Sequence, residues 1–278
     1  MEGLILVKKR VITGAVLIAL IILILWINIP LVDTIFILLI SLMGMYEYNK
    51  AFKSAEYNVV PIVGYISCFS ILLMGLNIPT DITILICRIA IPSVLIVTFI
   101  YSILSKLKIT IIDVAITILS IVYIPFLFSF LKLILMMEHG RLFIWFVIMG
   151  AFACDTFAFL IGCKFGKNKL CPEVSPKKTI EGSIAGILGV VITYIIIYVI
   201  ARFYLNIYLN IWILMLMAII SGIIGQFGDL AASSIKRFCK IKDFGSLMPG
   251  HGGILDRCDS IMFVAPIVYM ILKVYMFM

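Results

Sequence analysis

Acids, cations, glycines and a histidine fall together in one polar segment near the end of the chain. The segment reads KDFGSLMPGHGGILDRCDS, from Lys242 to Ser260, and contains His251, one of only 2 histidines in 278 residues. Its glycines and proline break any helix, and the backbone that they free is able to approach a ligand or to present N–H groups to an anion. The composition of this segment therefore predicts a site for an anionic ligand.

Aspartates in and before this segment are candidate metal ligands. Asp256 and Asp259 share one face of the first turn of the last predicted helix, and Asp229 lies at the end of the preceding apolar helix. Carboxylates at the membrane or its edge are costly unless they are paired or bind a metal. Mg²⁺ commonly takes one or two carboxylates, with water and substrate phosphate completing its shell. We therefore predict that Asp229 and Asp256 hold Mg²⁺; the alternative is that Asp256 and Asp259 only complement a helix N-terminus.

Basic residues accompany the same aspartates. If the helix that carries Asp229 continues beyond the membrane surface, Ser233 and a pair of cations follow on the same helical face. Lysine and arginine supply countercharge for phosphate oxygens, as phosphoryl chemistry requires when two polyanions meet. The pattern therefore predicts a site that handles phosphate. The cations that contribute to it are Lys236, Arg237, Lys242 and Arg257.

A second polar segment, DTFAFLIGCKFGKNKLCPEVSPKKTIEG, runs from Asp155 to Gly182. Asp155 lies in an otherwise apolar helix, and the run SPKKT at 175–179 is expected to be extended because prolines disfavour helix at the residue before them. Two adjacent lysines and two hydroxyls beside a membrane suit the grip of a lipid phosphate or a nucleotide. Two plainer interpretations stay open: the lysines serve topology alone, and Asp155 is a structural partner in an ion pair within the membrane.

The rest of the chain must position these segments inside a lipid bilayer. It is 64% hydrophobic and 13% charged, with a mean hydropathy of +1.25, which leaves too little polar surface for a water-soluble globule. We expect an all-α, polytopic integral membrane protein with about nine transmembrane helices. One of them, 109–136, is expected to be a single kinked helix in spite of Pro125. The 7 cysteines contain no CxxC pair, which argues against a zinc site. The apolar windows are 11–29, 31–46, 60–77, 82–104, 109–136, 142–162, 183–203, 209–228 and 260–277.

Loop charge predicts the orientation. With the basic N-terminus inside, about nine spans place most of the 22 lysines and arginines on the cytoplasmic side. The two polar loops, 163–182 and 229–260, then face the cytoplasm together. The net charge of +8 is explained by topology and by attraction to anionic lipid or nucleotide, so no nucleic-acid partner is expected. No repeat is visible, and 1–278 is predicted as a single membrane domain, with N-terminal spans in 1–140 and catalytic spans and loops in 141–278.

Both segments resemble the phosphatidate cytidylyltransferases, the CDP-diacylglycerol synthases. Their C-terminal signature, S-x-(aliphatic)-K-R-x4-K-D-x-G-x2-(aliphatic)-P-x-H-G-G-x2-D-R-x-D, is matched here by Ser233, Ile235, Lys236, Arg237, Lys242, Asp243, Gly245, Pro249, His251, Gly252, Gly253, Asp256, Arg257 and Asp259. The upstream family pattern is matched by Asp155, Thr156, Gly166, Lys167, Lys177, Lys178, Thr179 and Glu181. The sequence departs from the family at Ala232, where many members have glutamate. The two matches cover about a third of the chain, and long signatures of this kind are specific.

The resemblance implies a Mg²⁺-dependent nucleotidyltransferase of phospholipid biosynthesis that converts CTP and phosphatidate into CDP-diacylglycerol and diphosphate, with K⁺ as a further candidate cation. It implies an integral protein of a bacterial-type inner membrane, with the N-terminus and active site in the cytoplasm, and leaves a homodimer open. The residues implied as catalytic are Asp229, Asp256, Lys236, Arg237, Lys242, Asp243, His251, Arg257 and Asp259. Those implied as substrate-binding are Asp155, Ser175, Lys177, Lys178, Thr179, Ser233, Gly252 and Gly253.

Other functions remain open at this stage. A CTP-using polyprenol or phytol kinase has a similar membrane layout but transfers the γ-phosphate to an alcohol. A transporter would use Asp113, Asp155 and Asp229 as ion relays, although the polar residues cluster at one surface instead of crossing the bilayer. The D-G-x2-A-R pattern of the CDP-alcohol phosphotransferases does not occur.

Overall fold

The computed structural model describes residues 14, 16, 19–75, 80–106, 108–246 and 252–277. Within them the protein is predominantly helical, as expected, with one small hairpin. The helices are α1 (Pro30–Ser54), α2 (Pro61–Cys68), α3 (Ser70–Gly75), α4 (Thr80–Leu104), α5 (Ile111–Leu135), α6 (Gly140–Phe165), α7 (Ile180–Leu205), α8 (Ile211–Phe238) and α9 (Leu255–Phe277), and the strands are β1 (Lys169–Cys171) and β2 (Ser175–Thr179).

Six helices of the described part are long and apolar enough to cross a membrane: α1, α5, α6, α7, α8 and α9. The predicted windows 60–77 and 82–104 correspond to shorter apolar helices, Pro61–Gly75 and Pro92–Leu104. The window 11–29 lies partly outside the described residues. An integral membrane protein built of helices is therefore confirmed, and the count of nine spans stays a prediction.

Helix α5 is one continuous segment, as the sequence predicted for 109–136. Val122–Phe126 forms a π-helical turn that includes Pro125. Proline lacks an N–H and its ring clashes with the carbonyl of the previous turn, so a locally widened turn accommodates it without ending the helix.

Side chains near the helix starts satisfy N–H groups that have no partner within the helix. At the start of α5, Asp113 N donates to Thr110 Oγ1 (3.2 Å) and Thr110 N donates to Asp113 Oδ2 (2.8 Å), which is a reciprocal capping box. The other oxygen, Asp113 Oδ1, accepts from Asn58 N at 2.8 Å. Asp113 is therefore a structural capping residue, which weakens the transporter interpretation.

The chain divides into two compact units, one of residues 1–132 and 238–256 and the other of residues 133–237 and 257–278. In the first unit the buried ring of Tyr48 lies 4.5 Å from that of Phe52, and Phe52 in turn contacts the ring of Phe238 at 6.0 Å between centroids. This aromatic cluster attaches the start of the 238–256 segment to α1. The single membrane domain predicted from sequence stays a prediction.

In the second unit α6 and α7 pack closely through small residues. A Cβ on Gly182 would lie 2.6 Å from the carbonyl oxygen of Ala158, and one on Gly186 would lie 3.0 Å from that of Cys154. Small residues allow helix backbones to approach each other within a membrane, where apolar burial alone gives little drive for association. The close pairing of α6 with α7 fixes the two ends of the polar loop between them.

Candidate functional site

The loop between α6 and α7 forms an antiparallel hairpin that the sequence analysis did not predict. Lys169 of β1 lies opposite Thr179 of β2, and Cys171 lies opposite Ser175. The expectation of an extended run at 175–179 is met, because all five residues of SPKKT form β2. A signal for the hairpin was present in the CPEVSP turn between two short polar runs.

Strand geometry separates the two adjacent lysines of β2. Successive side chains of a strand point to opposite faces, so Lys177 is exposed whereas Lys178 turns inward. Lys178 Nζ lies 2.6 Å from Asp229 Oδ2, and the two side chains are only 23% and 28% exposed. This ion pair joins the two polar loops, 163–182 and 229–260, that the sequence singled out.

Two further contacts hold the hairpin in place. The hydroxyl of Thr179 accepts the N–H of Gly182 at 3.2 Å and so caps α7. At the other end of β2, Arg237 Nε donates to the carbonyl of Val174 at 3.3 Å. Thr179 and Arg237 therefore have structural roles in this arrangement, and their roles toward substrate stay predictions.

Carboxylates and cations of the second unit interact around the Lys178–Asp229 pair. Asp155 interacts electrostatically with Asp229, with Lys178 and with Arg257. Asp259, which is 6% exposed, interacts with Asp229, Asp155 and Lys236. Neighbouring carboxylates repel one another, so the cations offset a repulsion that would otherwise oppose the fold. The result is a polar cluster of mixed charge, defined by Asp155, Lys178, Asp229, Lys236, Arg257 and Asp259.

In the first unit, Asp256 bridges the two described sides of the glycine-rich segment. Its Oδ2 accepts N–H groups from Phe244 and from Gly253, each at 2.9 Å. Gly252 has a φ of +83°, a left-handed conformation that favours glycine. Lys242 and Asp243 are exposed beside this turn. Asp256 therefore connects the two described sides of the turn, whatever else it binds.

A carboxylate that the sequence analysis overlooked lies under the same turn. Glu47 of α1 is 3% exposed, and its two oxygens accept N–H groups from Ile254 and Leu255. The available signal was an acid within a largely apolar helix, which indicates a functional or structural partner.

The remaining predicted site residues are His251, Ser233 and the two candidate metal ligands. His251 lies outside the described residues. Ser233, on α8, is partly buried, and neighbouring Ala232, where many family members have glutamate, is fully buried. Asp229 belongs to the second unit and Asp256 to the first.

The carboxylates suit some kinds of metal site and not others. Within the described part of the chain, no three His, Cys, Asp or Glu side chains are grouped so that they could hold a metal together. A Mg²⁺ ion commonly takes one or two protein carboxylates and several waters or phosphate oxygens. Asp229 is partly exposed and already holds a cationic group, the ammonium of Lys178, at 2.6 Å. The residues therefore fit Mg²⁺ bound with substrate rather than a metal enclosed by protein.

Comparison with known proteins finds similarity to cytidylyltransferases. The model of the cytidylyltransferase family matches residues 8–275. The phosphatidate cytidylyltransferase of Bacillus subtilis is 33% identical over 138 residues, 50% of this chain and 50% of that protein. The Staphylococcus saprophyticus protein of the same name is 32% identical over 214 residues, 76% of this chain and 79% of that one. The Staphylococcus haemolyticus protein is 33% identical over 172 residues, 62% and 64% of the two lengths. The chain thus spans between half and about four fifths of these relatives.

Proposed function

Because the chain belongs to the cytidylyltransferase family, we propose that it transfers the cytidylyl group of CTP to phosphatidate. The products are CDP-diacylglycerol and diphosphate, as the names of its relatives indicate. The observation that carries this proposal is the contact between Lys178 and Asp229 at 2.6 Å, since it joins two segments whose residues independently resemble the phosphate-handling parts of the family.

The reaction is an exchange of one phosphorus–oxygen bond for another. An oxygen of the phosphatidate phosphate attacks the α-phosphorus of CTP in line, the bond to the bridging oxygen of the β-phosphate breaks, and diphosphate leaves with the electron pair. A phosphate monoester has a second pKa of about 6, so the nucleophile is largely deprotonated at neutral pH. No strong general base is required, and no proton transfer limits the attack.

The main task of the protein is to bring two polyanions together. Lys178, Lys236 and Arg257 of the polar cluster supply positive charge in the second unit. Lys242 supplies a further cation beside the glycine-rich turn. Charge that is already positioned stabilises a developing negative charge without reorganisation of solvent. Lys177, exposed on the opposite face of β2, is suited to hold the incoming anion before it reaches the cluster.

Asp229 and Asp256 are the proposed ligands of Mg²⁺, with K⁺ as a further candidate cation. When bound, Mg²⁺ neutralises charge on the triphosphate and polarises the α-phosphorus. Asp256 Oδ2 accepts two backbone N–H groups, and a bound ion would share this carboxylate with those donors. Asp229 contacts Lys178 at 2.6 Å, so a bound Mg²⁺ would compete with the lysine for this carboxylate, and the displaced lysine would be available to a phosphate oxygen.

Labelled CTP tests the reaction directly. Purified protein in detergent receives phosphatidate and CTP labelled at either the α- or the γ-phosphate. We expect the α-label to enter the lipid fraction and the γ-label to appear in diphosphate. A lipid kinase gives the opposite result, with γ-label in lipid and CDP released. Ion flux in proteoliposomes without consumption of nucleotide would instead favour a transporter.

We also propose that both polar loops face the cytoplasm of a bacterial cell, where CTP is made, and that the protein resides in the inner membrane. The support is the distribution of lysine and arginine among the loops and the bacterial origin of the relatives. A homodimer is compatible with this proposal but is not required by it.

A further inference from the structure

Glu47 is a fully engaged carboxylate inside an apolar helix. Its Oε1 accepts the N–H of Ile254 and its Oε2 accepts the N–H of Leu255, each at 2.9 Å. A buried carboxylate is costly unless hydrogen bonds satisfy it, and here both oxygens are satisfied by backbone that lies more than 200 residues away in sequence, with separations of 207 and 208. The side chain therefore makes a specific long-range contact.

The N–H groups that Glu47 accepts are at the start of α9. The first N–H groups of a helix have no partner within the helix, and they carry the positive end of its dipole. Asp256 takes the N–H of Gly253, so two carboxylates accept three consecutive backbone donors. The glycine-rich turn is thereby tied to α1 and to the segment around Phe244.

Two glycines of the signature lie directly against the carboxylate of Glu47. A Cβ on Gly245 would lie 2.6 Å from Glu47 Oε1, and a Cβ on Gly253 would overlap the carboxylate itself. Gly253 was predicted to bind substrate, but the structure gives a different reason for glycine at this position. Both positions have to be small because the backbone approaches Glu47 there.

Beside Glu47 the protein leaves an open cavity of about 520 Å³, lined on α1 by Tyr46 and Lys50 and on the other side by Phe244 and Gly245. At the start of α9, Leu255 packs onto α1 at Gly44. Apolar side chains on both sides of the turn, Phe244 and Leu255, are buried. Asp256 joins Phe244 to Gly253. Glu47 adds the contact that holds the 253–255 side of the turn against α1, with Gly245 packed beside its carboxylate.

We propose that Glu47 is a positioning residue for cytidylyl transfer. This inference rests on the function proposed above. By fixing Gly245, Gly253 and the start of α9, it sets where Asp256, Lys242 and Asp243 stand. It does not need to touch either substrate, because its oxygens are occupied by the protein backbone.

The test uses the full-length protein and the variant Glu47→Gln, which keeps the shape but replaces one acceptor oxygen by an NH₂ group that faces a backbone N–H. We expect kcat to fall about 10-fold to 100-fold, while KM for CTP changes by less than about 3-fold. Glu47→Asp, which keeps two acceptor oxygens on a shorter side chain, should recover part of the loss. Glu56→Gln, an exposed acid just beyond α1, is the matched control and should retain wild-type kcat.

A double-substitution experiment separates the contact from general destabilisation. Gly245→Ala should reduce kcat because its methyl group displaces the carboxylate, and in a Glu47→Ala background the same change should cost much less. If the losses of kcat from the Gly245 and Glu47 substitutions simply multiply, the proposal is overturned. Wild-type kcat in Glu47→Gln would overturn it as well.

Hydrogen exchange tests the contact without relying on turnover. In Glu47→Gln the amides of Ile254 and Leu255 should exchange at least about 10-fold faster, while those in the centre of α7 stay unchanged. If the wild-type protein does not transfer cytidylyl groups, the proposed function fails and so does the catalytic part of this inference, whereas the exchange result still decides whether Glu47 holds the turn. Unchanged exchange at 254 and 255 would overturn the inference even in an active enzyme.

Discussion

Lys178 on β2 and Asp229 on α8 form an ion pair of 2.6 Å, with both side chains less than one third exposed. The pair connects the hairpin loop to the helix that carries the second signature. Asp229 also interacts with Asp155 and Asp259, and Lys178 is one of three cations, with Lys236 and Arg257, that offset the repulsion among these carboxylates.

Substitution of either partner should therefore reduce catalysis strongly. We expect Lys178→Met to lower kcat/KM about 100-fold, because it removes a positioned cation and leaves Asp229 without its ion-pair partner. The double variant Lys178→Met/Asp229→Asn should lose much less than the product of the single losses, since the two residues act together. Lys169→Met, which removes an exposed lysine of β1, is the control. Independent, multiplicative losses would show that the pair does not act as a unit.

Removal of divalent cation should abolish turnover. With a chelator present, we expect no CDP-diacylglycerol, and addition of Mg²⁺ should restore it. Asp229→Asn should lose at least about 100-fold in kcat and should not recover at higher Mg²⁺, because the ligand itself is missing. Thermal unfolding in detergent verifies that the variant is folded. Full activity of Asp229→Asn would refute this residue as a metal ligand.

Close packing of α6 against α7 predicts which glycines tolerate a methyl group. Gly182→Ala places a Cβ 2.6 Å from a backbone carbonyl oxygen, which cannot move easily, whereas Gly225→Ala meets its nearest atom, a side-chain methyl of Val264, at 3.1 Å. We expect Gly182→Ala to lower the free energy of unfolding by about 2 kcal/mol and Gly225→Ala by clearly less. The measurement is the midpoint of thermal unfolding in detergent, and equal midpoints for the two variants would contradict the packing argument.

The proposed orientation is testable through an existing thiol. Cys163 is exposed near the end of α6, so a variant that keeps only this cysteine should react with a membrane-impermeant maleimide in inside-out vesicles and not in intact spheroplasts. As the converse control, Tyr208→Cys in the connection between α7 and α8 should react only from the outside, because α7 separates the two positions. Labelling of Cys163 in spheroplasts would reverse the orientation.

The sequence identified most of the helices because long apolar runs have few alternatives in a bilayer. The expected single segment across Pro125 is confirmed, and polarity alone singled out the two loops in which the site is proposed. The hairpin at 169–179 was missed because strands of 3 and 5 residues carry too short a pattern for periodicity to be detected. Lys177 and Lys178 were predicted to act side by side, and only their place on a strand shows that they face opposite ways.

Composition and local motif were sufficient to establish a helical membrane protein, the family to which it belongs, and the residue types that phosphate chemistry needs, since hydropathy and short signatures are properties of contiguous sequence. Only the tertiary structure paired Lys178 with Asp229 and brought Glu47 under the glycine-rich turn. Both contacts join residues far apart along the chain, and such contacts depend on how helices pack rather than on any local pattern. A glutamate in a largely apolar helix has no visible partner until the backbone it binds has been placed beside it.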